Sequence, residues 1–567
     1  MAFLFGPPNI ERLRAKRDVE RLVQALSYPK DAAVRLAAAE ALGALGDAAG
    51  CAGLVAATAD ADAAVRVAAV RALGQVGGEG AVQPLLAALH DPDLRAAAVE
   101  ALGQTGGPAV DPLLAQATGD DEGARSVALD ALAALRAEKD LAALVPLLGS
   151  KRKVDRDAAK HALRGAGHRA VGPLVSALRS ELGLREVLRD LLSDIGEPAV
   201  APLVALVQDT DMTLRSTATL SLTRIGAPAA GPLVAALKVG GQPVAEALVA
   251  LGSAAVEAVG SALAGEHKAD SHALRARLAE VLGRIGDRRG TEALAAALDD
   301  AWFDVQMAAT HALGSVGGPR AVQPLMRVLS DDKREPRLRA AASDALVRVG
   351  QAAVGPLIAA LPKREADVAP VLVELGAEAV EPLIQRLSST RHAVRASAAR
   401  VLGQIKDARA VEPLLVLGVE GPQQTRPDAA LALGAIGDGR AFEALRAALA
   451  DPSAAMRAAA AQALGALGDV RALEPLVAVL REGPPGLREE AALALGSLQD
   501  PGALEPLLSA LDGRDPSLQI AAATGLGRLG SARAVGELIA ALKTPDPRVR
   551  AAVMDALKAL GTPVKLV

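Results

Sequence analysis

The side chains best suited to metal chemistry in this chain are seven histidines and one cysteine, Cys51. Histidine and cysteine are common ligands of zinc, copper and iron. The histidines that lie closest together in the sequence are His267, which follows Glu266, and His272; this group indicates at most a weak adventitious metal site. We therefore predict no metal centre and no cofactor. The histidines are His90, His161, His168, His267, His272, His311 and His392.

Sequence motifs for covalent catalysis and phosphate binding are absent. The sequence contains no G-x-x-x-x-G-K loop, no G-x-S-x-G nucleophile turn and no paired-cysteine motif. Its serine, histidine and aspartate residues are scattered in no arrangement that a sequence can validate. We therefore predict no catalytic residues.

A column of arginines recurs along the chain. An arginine lies seven residues before a recurrent leucine in fourteen places, and Gln306 and Gln519 hold the position in two more. Such a ladder could bind phosphates. The nearby aspartates favour a different role, in which each arginine forms ion pairs with them and hydrogen bonds to free turn carbonyls between neighbouring repeats. We predict a structural role for this arginine column. Its members are Arg35, Arg66, Arg95, Arg125, Arg156, Arg185, Arg215, Arg275, Arg339, Arg395, Arg426, Arg457, Arg488 and Arg550.

The only tryptophan lies in an aromatic and methionine-containing stretch, residues 299–313. Phe303, Met307 and His311 follow i, i+4, i+8 spacing, which places them on one face of a helix. Aromatic and methionine side chains are frequent interface anchors, and the same spacing also suits internal packing. For Trp302 we favour a core position under a neighbouring turn.

Five residues after each member of the arginine column, the side chain varies freely between copies. These positions share a helix face with those one residue after the arginine. We name them the variable column; its first half is mostly acidic, and its stretch from Leu431 to Thr524 is neutral and partly apolar. The column is either a surface for a partner with a basic and an apolar segment, or a merely solvated face. Its members are Glu40, Arg71, Glu100, Asp130, His161, Asp190, Leu220, Glu280, His311, Asp344, Arg400, Leu431, Gln462, Leu493, Thr524 and Asp555.

A sequence repeat positions all of these residues. Each copy reads V-x-P-L-[VIL]-x-A-L, an Asp-rich turn, and V-R-x-A-A-x-x-A-L-G closed by Gly-Asp. The step from Pro382 to Pro413 is 31 residues. The chain is 51% apolar and only 1% aromatic, so alanine, leucine and valine supply its core, and alanine and leucine favour helices.

Each copy predicts two helices. The first is short and carries its proline in the first turn, where no helical N–H bond is lost. Turns such as Asp91-Pro92-Asp93 cap the second helix, whose apolar residues recur at i, i+3, i+4 and i+7. Glycine ends it, as at Gly46. Two short copies, near residues 232–258 and 356–382, predict local bends at Gly240-Gly241 and Lys363-Arg364-Glu365.

These helices predict an all-α solenoid of about eighteen helical hairpins. One hairpin is too small to bury its own apolar face, so neighbours must stack. No alternating β-branched run appears, so we predict no sheet. We assign residues 1–17 to an N-terminal cap segment, 18–561 to a continuous solenoid and 562–567 to a C-terminal tail. In the cap segment, Phe3-Leu4-Phe5 is expected to cover the core of the first repeat.

The repeat resembles HEAT repeats, and most closely the phycobilisome-lyase HEAT-like type of bacteria and archaea. The match covers essentially residues 18–561. The resemblance implies an α-α superhelix whose second helices line a concave side, with a role in scaffolding and protein binding. We therefore predict a non-enzymatic scaffold or adaptor that binds a protein partner along that face. The candidate partner-binding residues are Phe303, Met307, His311, Leu431, Gln462 and Leu493.

Some members of this family are enzymes, so an accessory enzyme of the phycobilin lyase or deoxyhypusine hydroxylase-like type is the alternative. The hydroxylase binds iron through His-Glu pairs, and no histidine of this chain is followed by glutamate. Lyase chemistry needs a chromophore pocket, which the repeat itself does not carry.

Charge and hydropathy narrow the class of partner. The chain has 62 basic and 66 acidic residues, a formal net charge of −4, which argues against nucleic-acid binding. No apolar run is long enough to span a bilayer, and the N-terminal apolar run is too short for a signal peptide. We expect a cytoplasmic protein that binds protein, not nucleic acid or membrane. Because the tail GTPVKLV is a poor polar cap, we expect a monomer or a weak end-to-end dimer.

Overall fold

The repeats fold into paired helices, as the sequence predicts. The computed structural model describes residues 7–265 and 271–562, and within them there is no β-strand. The chain divides into two compact units, Met1–Glu266 and His267–Val567. In each unit, hairpins follow one another along the chain and stack on their neighbours.

In the first unit the hairpins run from α2/α3 to α16/α17, with α1 before them and α18 after them. The helices of this unit are α1 (Ile10–Ala15), α2 (Val19–Ala25), α3 (Ala32–Leu45), α4 (Cys51–Ala57), α5 (Ala63–Val76), α6 (Glu79–Ala88), α7 (Arg95–Thr105), α8 (Gly107–Ala117), α9 (Glu122–Ala133), α10 (Glu138–Ala142), α11 (Lys153–Ala166), α12 (Val171–Ser180), α13 (Arg185–Ile195), α14 (Val200–Leu206), α15 (Met212–Ile225), α16 (Ala230–Leu237), α17 (Gln242–Leu251) and α18 (Val256–Gly265).

In the second unit α19 comes first and the hairpins run from α20/α21 to α35/α36, with α24 contributing both helices of one copy. The helices of this unit are α19 (His272–Ile285), α20 (Thr291–Ala297), α21 (Phe303–Val316), α22 (Pro319–Leu329), α23 (Pro336–Val349), α24 (Gln351–Leu375), α25 (Ala377–Arg386), α26 (His392–Ile405), α27 (Val411–Glu420), α28 (Arg426–Ile436), α29 (Phe442–Ala448), α30 (Ala454–Leu467), α31 (Leu473–Glu482), α32 (Leu487–Leu498), α33 (Leu504–Leu511), α34 (Pro516–Leu529), α35 (Val535–Ala541) and α36 (Pro547–Ala559).

The predicted helix boundaries are confirmed at Asp62 and Gly46, but the prediction that Asp91-Pro92-Asp93 caps α7 is wrong, because its N-cap is Leu94 and no side chain caps it. Asp62 caps α5, because its carboxylate accepts hydrogen bonds from the backbone N–H groups of Ala64 (2.8 Å) and Val65 (3.3 Å). Gly46 ends α3 in the left-handed conformation, with φ of 66°. The second helix therefore begins and ends at fixed points of each such repeat, which keeps its side chains in register with the next copy.

A glycine also lets successive second helices approach closely. A Cβ atom on Gly434 in α28 would lie 2.5 Å from the Cα of Ala463 in α30, and one on Gly465 would lie 2.7 Å from the Cα of Ala494 in α32. Real Cβ atoms do not come so close to backbone. The glycine of the A-L-G motif therefore sets the distance between these helices, in addition to its part in the sequence signature.

The predicted position of the proline is right in some first helices and wrong in others. Pro413 is the third residue of α27, which begins after a 3-10 turn. Pro84 and Pro324 lie inside α6 and α22 instead, beyond the first turn. Both of these helices follow a glycine with positive φ, Gly78 (79°) or Gly318 (81°), and start without a separate 3-10 turn. The residues that form the 3-10 turn elsewhere thus lengthen the α-helix before the proline.

The two irregular copies place their turns where the sequence predicts. Gly240-Gly241 separates α16 from α17. Arg364 breaks α24, with non-helical angles of φ −136° and ψ 41°. Phe3-Leu4-Phe5, Glu266 and His267 lie outside the described residues.

Of the described helices, none is by itself long and apolar enough to cross a membrane; one sharply bent pair, Gln242–Ala254 with Val256–Gly265 (117°), passes on length and composition alone.

Candidate partner-binding site

The structural role predicted for the arginine column is confirmed where its members pair with a carboxylate of the following turn. Arg35 donates from Nε and Nη2 to the two carboxylate oxygens of Asp60, at 2.7 and 2.9 Å, and from Nη1 to the carbonyl of Tyr28. These hydrogen bonds lower the pKa of the Asp60 carboxyl and raise the pKa of Arg35. Arg275 makes the same bidentate contact with Asp300, at 2.6 and 3.0 Å.

Other members of the column bind the carbonyls of their own turn. Arg457 donates to the carbonyl oxygens of Asp451 (2.8 Å) and Pro452 (3.0 Å). Gln306 replaces arginine but keeps the contact, because its amide donates to the carbonyl of Asp300 at 2.6 Å. Gln519 does the same with Gly513 at 2.9 Å. In these repeats the column residue thus satisfies a turn carbonyl or an aspartate, whereas the buried Nε atoms of Arg339, Arg395 and Arg488 have no hydrogen-bond partner within the described chain.

The variable column lies at the surface, as its spacing predicted. Every member is exposed except Asp190, Leu493 and Thr524, which are half-buried, and none is buried. The residue that follows each member in sequence, such as Ala432 after Leu431, is buried. Within each unit, chemically diverse side chains thus lie at the surface of a core rich in alanine and leucine.

The Phe303–Met307–His311 stripe follows one face of α21. Phe303 and Met307 are half-buried and His311 is exposed, so the stripe rises from the core to the surface. Nδ1 of His311 lies 3.4 Å from Nη2 of Arg348, which is on α23. Two neighbouring second helices therefore meet at the exposed end of the stripe.

The core position that we favoured for Trp302 is wrong. Trp302 is 42% exposed and caps the N-terminus of α21, where its backbone N–H donates to Asp300 Oδ1 at 2.9 Å. Its indole stacks on the imidazole of His272, with ring centroids 4.2 Å apart and planes 12° from parallel. The sequence could not show this contact, because His272 lies on α19, one repeat earlier.

The second group of candidate residues lies on α28, α30 and α32, three second helices that pack in succession. Leu431 is 39% exposed. Gln462 is exposed, and its amide donates to Glu490 Oε2 at 2.7 Å. Leu493 is half-buried. These three side chains are the equivalent members of consecutive copies and form a strip with no formal charge of its own.

Next to that strip, the variable column carries a closed ion-pair network. Arg400 donates to both carboxylate oxygens of Glu365, at 2.7 and 2.6 Å, and to Asp428 at 2.8 Å. The Arg400 hydrogen bond lowers the pKa of Glu365 and raises that of Arg400. The charge of Arg400 is therefore largely matched within the protein.

In the first unit, a groove of about 680 Å³ lies along the variable column on α3 and α5. Leu36 and Val67 give it apolar walls, and Glu40 and Arg71 of the variable column lie beside them. Arg14 of α1 also lines it, and sequence analysis missed this residue. The assignment of residues 1–17 to a cap segment was the only signal that α1 could reach these helices.

Sequence analysis also missed a cavity of about 590 Å³ between α25 and α27, which contains Arg395 of the arginine column. The sequence feature that could have indicated this cavity is the turn Ser388-Ser389-Thr390, which lacks the aspartate found in turns of other copies. Across residues 7–265 and 271–562, histidine, cysteine and acidic side chains form no group of three or more that could hold a metal ion.

Comparison with known proteins identifies the family to which this repeat is similar. The sequence profile of HEAT repeats matches residues 19–94, 90–164, 256–347, 417–496, 450–518 and 504–566, which together cover more than half of the chain. The profile of the phycobilisome-lyase HEAT-like repeat matches residues 394–417. No curated protein sequence matches the chain.

Several solved structures are similar to the chain at low identity. Yeast importin-beta is 13% identical, with 99% of this chain and 93% of that chain covered and a TM-score of 0.27. The CpcE–CpcF complex of phycocyanin lyase from a Nostoc species is 25% identical, covering 48% and 94%, with a TM-score of 0.22. Human deoxyhypusine hydroxylase in complex with glycerol is 23% identical, covering 43% and 96%, with a TM-score of 0.20.

The paired helices, the shared register of capping and column residues, and the extent of the profile match lead to one conclusion: this chain belongs to the HEAT-repeat family.

Proposed function

We propose that this protein is a non-enzymatic scaffold that binds a protein partner along the exposed face of its second helices. The observation that carries the proposal is the exposed or half-buried position of every member of the variable column. Its side chains differ from copy to copy, while the residue that follows each of them in sequence stays buried. A solenoid needs uniform residues only where repeats stack. Variation at the surface positions gives each repeat its own contact with a partner.

The neutral strip in the second unit is the best part of that face for an apolar partner segment. Leu431 is 39% exposed although it lies in the middle of α28. Leu493 holds the same position in α32 and is half-buried. Burying such side chains under a partner removes apolar surface from water, at about 25 cal/mol per Å². Gln462 between them supplies a polar group for orientation.

Replacing both leucines by glutamine tests this proposal without changing charge. The Leu431→Gln/Leu493→Gln variant carries the residue type that the column already holds at Gln462. We expect a partner captured by the wild-type protein to bind this variant at least about tenfold more weakly, since apolar anchors at interfaces contribute about 1–2 kcal/mol each. Binding is measured with the purified partner by calorimetry or biolayer interferometry.

The matched control is Val470→Gln. Val470 is 67% exposed but lies in the 3-10 turn before the first helix α31, away from the variable column. Wild-type affinity in the control together with loss in the double variant supports the proposal. Equal affinity of all three proteins, with unchanged thermal unfolding, contradicts it.

The stripe on α21 is tested in the same assay with Phe303→Ala/Met307→Ala. Undiminished binding by this folded variant removes the stripe from the proposed surface. Metal content and visible absorption of the purified protein test the non-enzymatic part of the proposal. A stoichiometric metal or a tetrapyrrole spectrum would favour the hydroxylase-like or lyase-like alternative instead.

A further inference from the structure

Arg395 lines a cavity beside the start of α26, and its counterpart Arg426 lines a smaller cavity, of about 190 Å³, together with Asp451. The cavity at Arg395, about 590 Å³ in volume, lies between α25, the turn after it and α27. Its walls are formed largely by Ile384, Leu387, Val416 and Leu417. We name it the Arg395 cavity. A cavity of this volume falls within the range of small-molecule sites, about 300–1,000 Å³.

The guanidinium in this cavity is buried and incompletely satisfied. Arg395 is 8% exposed. Nη1 donates to the carbonyl of Ser389, while Nε is buried without a hydrogen-bond partner. Among residues 7–265 and 271–562, no carboxylate lies within ion-pair distance of Arg395. A buried charge is unfavourable unless it is paired, so this group favours an anion beside it.

Other repeats show which anion fits this register. Arg35, Arg275 and Arg426 each bind a carboxylate that follows 25 residues later, on Asp60, Asp300 and Asp451. In all three cases the guanidinium binds a side-chain carboxylate. In these three repeats the anion that satisfies the arginine is a carboxylate, which Arg35 and Arg275 hold through two N–H donors and Arg426 holds through one.

The corresponding residue for Arg395 is Glu420, and it lies in a different setting. Asp60, Asp300 and Asp451 follow first helices that end several residues earlier, so each lies in a turn. Glu420 is the last residue of the longer helix α27 and is exposed at the rim of the cavity. Because α27 continues to this point, the carboxylate of Glu420 stays at the exposed rim, while the guanidinium of Arg395 is buried.

We propose that the Arg395 cavity binds a small aliphatic carboxylic acid, with the ligand carboxylate on the Arg395 guanidinium and its hydrocarbon chain against Ile384, Leu387 and Leu417. The hydroxyl of Thr390 lies at the same cavity and offers a further donor, whereas the hydroxyl of Ser388 already donates to the carbonyl of Gln385. Val416, 56% exposed, forms an apolar rim over which the chain enters. This site is independent of the partner-binding face on the second helices.

Octanoate is the probe for this proposal, with octanol as its uncharged counterpart. Binding to the full-length protein is measured by calorimetry and by ligand-observed NMR. We expect saturable binding of octanoate with a stoichiometry of one. We expect octanol to bind at least about tenfold more weakly, because a charge-assisted hydrogen bond contributes more than a neutral one. This experiment uses only the wild-type protein, so its result remains valid even if a substitution at Arg395 impairs folding.

Two arginine variants locate the site. Arg395→Gln should weaken octanoate binding about tenfold or more. Arg457→Gln is the matched control, since Arg457 holds the same register on α30, binds only turn carbonyls in the described chain and does not line the cavity. The control should bind octanoate as the wild type does.

The rim carboxylate gives a change in the opposite direction. Glu420→Gln removes a negative charge near the ligand carboxylate and should tighten octanoate binding about two- to threefold. No saturable binding to the wild type, equal affinity for octanoate and octanol, or wild-type affinity in folded Arg395→Gln would each overturn the proposal.

Discussion

Two arginines of the second unit hold the same register and are both buried, yet their surroundings differ. Arg275, 5% exposed, binds the carboxylate of Asp300 through two hydrogen bonds. Arg395, 8% exposed, binds the carbonyl of Ser389 and has no carboxylate beside it within the described chain. The difference begins with the length of the next first helix, α20 or α27. A short helix leaves an aspartate in the turn, and a long one ends on an exposed glutamate.

One position of the repeat thus serves two purposes. Where the following turn supplies a carboxylate, the arginine joins neighbouring repeats. Where it does not, the same buried cation is available to a ligand. Arg457 is an intermediate case, because the residue at the corresponding position, Glu482, again ends a long helix, α31, while the arginine stays half-buried on turn carbonyls.

The largest expected effect follows from breaking the pair at Arg275. Asp300→Asn leaves a buried guanidinium without its carboxylate, and loss of one partner of a buried pair costs about 3–5 kcal/mol. Urea unfolding followed by the fluorescence of Trp302 measures this, because the indole is the only one in the chain and its backbone N–H binds Asp300. An unchanged unfolding midpoint would show that the pair contributes no local stability.

A smaller effect on stability is expected at the Arg395 cavity. Glu420→Gln removes a carboxylate that makes no ion pair with described residues, so the free energy of unfolding should change by less than about 0.5 kcal/mol. Circular dichroism during urea unfolding provides the measurement. A loss similar to that of Asp300→Asn would mean that Glu420 does neutralise Arg395 in solution, and the two regions would then be equivalent.

Much of the fold could be predicted from the sequence because the determinants are local. Asp62 and Gly46 fix helix ends through their own backbone neighbourhoods, and the 3.6-residue period of alanine and leucine fixes the buried face. The position of Pro84 inside α6 was missed, because glycine at Gly77-Gly78 lets the helix start without a 3-10 turn. That choice depends on backbone conformation, which periodicity does not report.

The candidate site was predictable only in part, for a different reason. The exposure of Leu431 and Gln462 follows from their distance to the arginine in one helix. The stack of Trp302 on His272 joins two helices of different repeats, so no spacing within one helix indicates it. The Arg395 cavity depends on where α27 ends, which the repeat pattern by itself does not report.

Site-specific photocrosslinking tests the central claim, that the exposed face of the second helices binds a partner, most directly. A photoreactive amino acid is placed at Gln462 on α30, or at Val470 before α31; both positions are exposed. With the partner bound, we predict a covalent adduct from position 462 and none from position 470. An adduct from position 470 alone would contradict the account, because the partner would then lie on the side of the first helices.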